Sequence, residues 1–248
     1  MSGNEFLEPF EQMLGDVFPA ATVRAIEAGE GGDAAMEAVE QSGFLDALVS
    51  EEADGAGMSM ADIAPLWMAL GRHSVPLGVG EAMITRATGD NESVTRENAT
   101  ALLNAAMIAG AAGKLLDMAV AYANERVQFG KPIGKQQALQ QNLAVMAQDV
   151  VAVRLAVKLA ASKGWPKDAQ AAVAKTVAAE AAPRIANTAH AVFGAIGISA
   201  EHDLGLYTRA LHRWRLAGGS ETLWSRKLGV EVLAGTQPSV DWVRQELF

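Results

Sequence analysis

The residue types best suited to chemistry lie between Tyr122 and Gln137, in the run Glu125-Arg126-Val127-Gln128-Phe129-Gly130-Lys131-Pro132-Ile133-Gly134-Lys135. Three cations, Arg126, Lys131 and Lys135, face one acid, Glu125, within a chain whose 20 Lys plus Arg against 29 Asp plus Glu give a formal charge of −9. A guanidinium matches two phosphate oxygens at once, and Gly130 and Gly134 allow the backbone to approach a ligand closely. The same residues also suit a charged corner between two helices. A second stretch is His190-Ala191-Val192-Phe193-Gly194-Ala195-Ile196-Gly197, followed by Glu201-His202 and Leu206-Tyr207-Thr208-Arg209. Small residues directly after a helix expose backbone N–H groups to an anion or a cofactor edge, or simply terminate the helix.

Other chemistries find no support. No P-loop, GxGxxG after a strand, GxSxG elbow or HExxH occurs. The four histidines, His73, His190, His202 and His212, include no pair at the i, i+4 spacing of a helical metal site, so surface or capping roles and no metal are expected. The absence of cysteine excludes thiol nucleophiles, Fe–S clusters and disulfides. Acidity argues against a nucleic-acid surface. The longest uncharged apolar run, Ala99 to Gly113, falls short of the roughly 20 residues a bilayer span needs. The first residues are acidic and do not read as a secretory signal, so a cytoplasmic protein without a membrane partner is expected.

These motifs need elements to hold them, and the sequence, 50% hydrophobic and rich in Ala, Leu, Met, Glu and Gln, favours helices throughout. Helices are expected over 4–14, 20–30 (stopped by Gly31 and Gly32) and 33–42 (closed by Gly43). A turn-rich loop follows at 51–57, then a helix capped by Ser59 and running to Gly71. Residues 72–96 carry Pro76, Gly78, Gly80 and Gly89 and show the weakest periodicity, which places a domain boundary between Gly89 and Thr95. Beyond it, 96–124 reads as one long helix whose Ala105, Ala106, Gly110, Ala111 and Gly113 admit a close neighbour. Leu139, Leu143, Met146, Val150, Val153, Val157 and Ala160 form a heptad stripe at spacings 4, 3, 4, 3, 4, 3, ended by Gly164-Trp165-Pro166. Further helices are expected over 167–192, 204–211 and 221–233. The fold class is therefore all-α: an N-terminal helical domain over 1–92 and an up-and-down four-helix bundle over 93–248.

Taken together and in order, these stretches resemble the acyl-CoA dehydrogenase family. Tyr122…Arg126-x-Gln128-Phe129-Gly130-Lys131-Pro132-Ile133…Gln137…Leu143-Ala-x-Met146 is similar to the signature of its C-terminal helical domain. Gly194-Ala195-Ile196-Gly197, Glu201-His202 and Leu206-Tyr207-x-Arg209 resemble its second signature. Phe44 to Gly57, with Glu51-Glu52-Ala53-Asp54-Gly55, resembles the family's PEEYGGxG loop, and the helix to Leu70-Gly71-Arg72 its next helix. Family members oxidise an acyl-CoA thioester to the trans-2-enoyl-CoA with FAD. The resemblance implies that Arg126, Gln128, Phe129 and Gln137 reach the diphosphate and flavin of an FAD bound mainly by a neighbouring subunit, and that Gly194 to Gly197 meets its adenosine half.

Two departures qualify the resemblance. Members usually carry a β-domain between the two helical domains, and here the chain leaves no room for one between Glu81 and Thr100. The family's catalytic base is a glutamate just before a Gly-Thr or Gly-Ser pair, a position that falls on Gly218 in Leu216-Ala217-Gly218-Gly219-Ser220. Some members place it instead at the start of the long helix, here near Thr100, which is not a carboxylate either; Glu97 and Glu221 lie nearby in sequence, but the match does not put them on the base position. The resemblance thus implies a subunit that completes the FAD site of a full-length acyl-CoA dehydrogenase homologue in a hetero-oligomer, the homologue supplying the base. Heteromeric members of bacterial steroid side-chain catabolism are built so. The alternatives are a self-sufficient enzyme using Glu97 or Glu221, and a non-catalytic helical scaffold without flavin.

Overall fold

The computed structural model describes residues 4–76, 78–89, 94–199 and 202–247. Its helices are α1 (Asn4–Val17), α2 (Ala20–Glu27), α3 (Gly32–Gln41), α4 (Met60–Arg72), α5 (Gly78–Thr88), α6 (Val94–Glu125), α7 (Gln137–Ala161), α8 (Asp168–Phe193), α9 (Leu204–Leu216), α10 (Glu221–Ala234) and α11 (Ser239–Leu247). The only sheet among the described residues is a two-stranded hairpin, β1 (Val127–Gln128) and β2 (Lys131–Pro132). The fold is all-α, with no barrel among the described residues.

Helix α6 is the axis. Its residues from Asn98 to Leu115 are buried apart from Thr100 and Lys114, and α4, α7, α8 and α9 all pack against it. Its length and composition would let it cross a membrane, yet 83% of its most apolar window is buried inside the protein. The expected close approach occurs where α4 crosses α6. A Cβ at Gly110 would lie 1.8 Å from the Met68 carbonyl oxygen, and one at Gly71 1.9 Å from that of Met107, so the two backbones touch where both helices lack side chains. The heptad stripe of α7 buries Met146, Val150, Val153, Val157 and Ala160 and half-buries Leu139 and Leu143. Ser59 caps α4, its hydroxyl accepting the Asp62 N–H at 3.3 Å.

One hydrophobic core runs from Phe10, Leu14 and Trp67 in the N-terminal helices through α6 to Trp214 on α9, and a small satellite gathers Ala101, Ala171 and Ala172 around Trp224. The domain boundary expected at 92/93 lies outside the described residues. Between α5 and α6 stand only residues 89–93, which leaves no place there for a β-domain.

Several elements differ from the sequence expectation. The weakly periodic segment contains α5, whose glycines serve packing: a Cβ at Gly80 would lie 2.4 Å from Leu103 Cδ1. α2 stops at Glu27 because Gly29 adopts φ 86°. α9 continues to Leu216, since Leu211 and Trp214 keep burying one face while Arg213 pairs with Glu27. α11 and the hairpin were not expected.

Candidate functional site

The cationic stretch turns a corner. α6 ends at Glu125, the chain pairs Val127 with Pro132 and Gln128 with Lys131, and the two turn residues Phe129 and Gly130 both take positive φ, 52° and 77°. That is the signature of a two-residue hairpin turn with a primed geometry. It leaves the Phe129 side chain 92% exposed on a strained backbone. The corner is tied down from within: the Ile133 N–H donates to the Arg126 carbonyl at 2.8 Å, and Gln140 Nε2 donates to the Gly134 carbonyl at 2.8 Å. A Cβ at Gly134 would come within 3.0 Å of the Ala123 carbonyl oxygen, so the hairpin base lies directly on the end of α6.

The second stretch arrives at the same place. Tyr122 near the end of α6 stacks on Phe193 at the end of α8, with ring centroids 4.4 Å apart and planes 23° apart. This ring pair joins the hairpin corner to the glycine turn. Between them is a cleft of about 480 Å³ lined by Tyr122, Arg126, Gln128, Phe193, Gly194 and Ile196, among others. Arg126, Lys131 and Lys135 make no salt bridge among the described residues, so their charge is available to an anion. Gly194 holds φ 60°, ψ −139°, a conformation open essentially to glycine. Of the six residues expected at the cofactor, Arg126, Gln128 and Gly194 line the cleft and Phe129 projects beside it from the hairpin tip. Gln137 is exposed at the first turn of α7 and does not line it. Gly197 is buried: its Cβ would lie 2.7 Å from Leu204 Cδ2, so its smallness serves the packing of α9. Glu201 lies outside the described residues.

A second cleft, about 560 Å³, opens at the other end of α6 and is lined by Val94, Arg96, Glu97, Thr100, Gly218, Gly219 and Leu223. Thr100 and Gly218, the two places where the resemblance puts the base, are neighbours in space. A Cβ at Gly218 would lie 3.3 Å from Thr100 Cγ2 and 3.1 Å from Asn104 Nδ2. Gly218 and Gly219 hold φ 65° and 99°, and the Gly218 carbonyl accepts the Trp224 indole N–H at 2.7 Å. Asn104 is fully buried beneath this turn; its Nδ2 donates to the Thr100 carbonyl at 2.8 Å and its Oδ1 has no partner. Neither nearby carboxylate is free. Glu97 pairs with Lys227, whose ammonium lies 4.4 Å above the Trp224 ring. Glu221 pairs with Arg215, whose hydrogen bond holds its carboxyl below the usual range. Among the described residues no group of three or more His, Asp or Glu converges as a metal site.

Sequence reasoning overlooked Lys175. It is fully buried on α8 and donates to the Trp214 carbonyl behind the Gly218 turn. A lysine on an alanine face was the available signal. Burial pushes its ammonium from 10.5 down to about 7, against the attraction of Glu221. The unfolded chain therefore binds more protons than the folded one between about pH 7 and pH 10, and stability rises with pH across that window. At about 1.4 kcal/mol per unit the effect reaches several kcal/mol. Chemical denaturation as a function of pH should show this rise in the parent chain, and Lys175→Met should remove it; parallel curves would contradict the assignment.

Comparison with known proteins places the all-α chain in a family. A sequence profile of the acyl-CoA dehydrogenase C-terminal domain matches residues 93–229. The chain is 36% identical over 148 residues to the acyl-CoA dehydrogenase IpdE2 of Mycolicibacterium smegmatis, covering 60% of this chain and 46% of that protein. It is 33% identical over 203 residues to the glutaryl-CoA dehydrogenase of Desulfococcus multivorans, covering 76% and 51%. The chain thus spans about half the length of these curated relatives. Its fold extends over 95% of its length onto 98% of a chain in the ChsE4-ChsE5 complex from Mycobacterium tuberculosis, with a TM-score of 0.80 at 18% identity. The chain belongs to the acyl-CoA dehydrogenase family, and it is a shortened member without the middle β-domain.

Proposed function

We propose that this chain is a subunit of a heteromeric FAD-dependent acyl-CoA dehydrogenase, completing an FAD site held mainly by a full-length homologue that also supplies the catalytic base. One observation carries the reading: the cofactor-facing corner is equipped while the base position is not. Arg126 and Gln128 line an open cleft at the hairpin, with Phe129 beside it. At Gly218 there is no side chain, and the space a Cβ would enter is bounded by Thr100 and Asn104. The fold neighbour solved as the ChsE4-ChsE5 complex supports an assembly of two kinds of chain.

The residues at the corner suit part of an FAD. The cleft of about 480 Å³ is open to the surface and holds a fraction of so long a molecule. Arg126 would grip the diphosphate through its planar fork, Gln128 would donate from its amide, Phe129 would press its ring against the cofactor, and the Gly194 turn would meet the adenosine half. FAD, when bound, accepts the β-hydride as the thioester becomes the enoyl-CoA. The α-proton needs a carboxylate within hydrogen-bond reach in a dry site, and a missing base typically costs 10²–10⁴-fold. With Glu97 and Glu221 held by Lys227 and Arg215, that carboxylate belongs to the homologue. A cytoplasmic setting and an acyl-CoA drawn from lipid or steroid breakdown complete the reading.

Co-expression with a full-length homologue, followed by purification, should yield a yellow complex that oxidises acyl-CoA, while the chain alone is colourless and inactive. A colourless complex that releases no flavin on denaturation would instead mark the chain as a scaffold. Installing the missing carboxylate should not rescue this site. Gly218→Glu forces a side chain onto φ 65° and against Asn104, so thioester oxidation by the isolated variant should stay at background; measurable turnover would contradict the reading.

A further inference from the structure

A third cavity of about 360 Å³ lies where the N-terminal helices meet the bundle, its Met118 one helical turn before the Tyr122 that lines the hairpin cleft. Its walls come from the α1–α2 turn, the end of α4, the middle of α6 and the start of α9. Besides Asp203, four polar side chains line it: His73, Ser74, Lys114 and Tyr207. None of the four makes a side-chain hydrogen bond or ion pair among the described residues; Ser74 is buried and the other three are half-buried. Ser74 is 2% exposed and its Oγ has no partner. It is also held at φ 54°, the left-handed residue that ends α4, with the Val75 N–H donating to the Leu70 carbonyl at 2.9 Å.

The charge at the cavity favours an anion. Lys114 is the one cation on the buried length of α6. Burial lowers the pKa of His73, and Arg72 and Lys114 lower it further against the pull of Glu11, so the imidazole stays neutral and offers one N–H. Tyr207 stays a phenol, its pKa raised by burial and by Asp203. The carboxylate in the wall, Asp203, is already bound by Arg24 at 2.5 Å. The cavity therefore presents an ammonium, two hydroxyls and an imidazole beside one carboxylate that Arg24 already engages, in a volume typical of small-molecule sites.

We infer that this cavity binds a small organic anion bearing a phosphate or carboxylate group, with Lys114 and Ser74 as its principal donors. The site spans helices of both halves of the chain, so its ligand bridges α4, α6 and α9. It does not depend on the flavin reading, and it is tested on the chain without flavin.

Titration calorimetry of the full chain with glycerol phosphate and, separately, succinate, at ionic strength fixed with sodium chloride, distinguishes the two head groups. Saturable binding of at least one probe is expected. Lys114→Met should weaken it by about tenfold or more, and exposed Lys163→Met should leave it unchanged. Ser74→Gly should do two things of opposite sign: raise the thermal midpoint of the free chain by relieving the positive φ, and weaken probe binding several-fold. If Lys114→Met does not fold, Tyr207→Phe should weaken binding several-fold in its place. No saturable binding of either probe, or binding that survives Lys114→Met or, in its stead, Tyr207→Phe unchanged, overturns the inference.

Discussion

Arg126→Ala in the assembled complex should loosen FAD by roughly 10- to 100-fold while leaving the fold intact. A hydrogen bond to a charged group is worth about 1.5–3 kcal/mol, and each 1.4 kcal/mol is about tenfold in affinity. The Arg126 side chain is exposed and makes no ion pair among the described residues, so its loss should change the stability of the chain alone by no more than about 0.5 kcal/mol. Arg126→Lys should fall between parent and alanine variant, because an ammonium keeps the charge and loses the fork. Flavin fluorescence released on dilution of the complex measures the effect. Equal flavin retention in parent and Arg126→Ala would place the cofactor elsewhere.

Gly110→Ala should have the largest effect on stability. The added methyl carbon would sit 1.8 Å from the Met68 carbonyl oxygen and 2.9 Å from the Arg72 nitrogen, and neither backbone atom can swing aside. Overpacking against side chains costs about 1–3 kcal/mol; here α4 and α6 must separate along their shared face, and a loss of at least about 3 kcal/mol follows. At about 2–4 °C per kcal/mol for a chain of this size, the thermal midpoint should fall by roughly 10 °C. Gly229→Ala on α10, where the new Cβ meets nothing within 4 Å, should instead stabilise by about 0.5–1 kcal/mol through helix propensity. Opposite signs for two identical substitutions would isolate the close crossing as the cause.

The long helices were legible because their signals are local. The stripe from Leu139 to Ala160, the Ser59 cap and the Gly164-Trp165-Pro166 stop each act within a few residues. α5 was not legible because glycine carries two meanings. Gly78 and Gly80 read as loop residues, yet Gly80 is glycine because Leu103 of α6 fills its place, and only the tertiary structure distinguishes the two. The hairpin was hidden by its turn: Phe129-Gly130 lacks the Asn or Asp that usually announces a two-residue turn. α11 is held by long-range contacts, with Trp242 buried and Gln170 Nε2 donating to the Glu246 carbonyl at 3.2 Å.

The candidate site divides in the same way. Residue type drew attention to Arg126, Gln128 and Gly194, but their meeting depends on Tyr122 stacking on Phe193, a contact between the ends of two different helices. The partners of Glu97 and Glu221 were equally out of reach. Lys227 lies 130 positions from Glu97, and Arg215 opposes Glu221 only because the Gly218-Gly219 turn brings the start of α10 beside the end of α9. Packing also separates the two glycines of the second stretch, setting Gly194 at the cleft and Gly197 beneath α9.

Anaerobic mixing of acyl-CoA with the reconstituted complex, followed by the bleaching of its flavin, is the most direct test that this chain lends a binding corner and not a base. Bleaching should persist when this chain carries Glu97→Gln and Glu221→Gln together, and should vanish when the homologue's base carboxylate is changed to the amide. Bleaching that survives loss of the homologue's carboxylate and stops with the double variant would contradict the account.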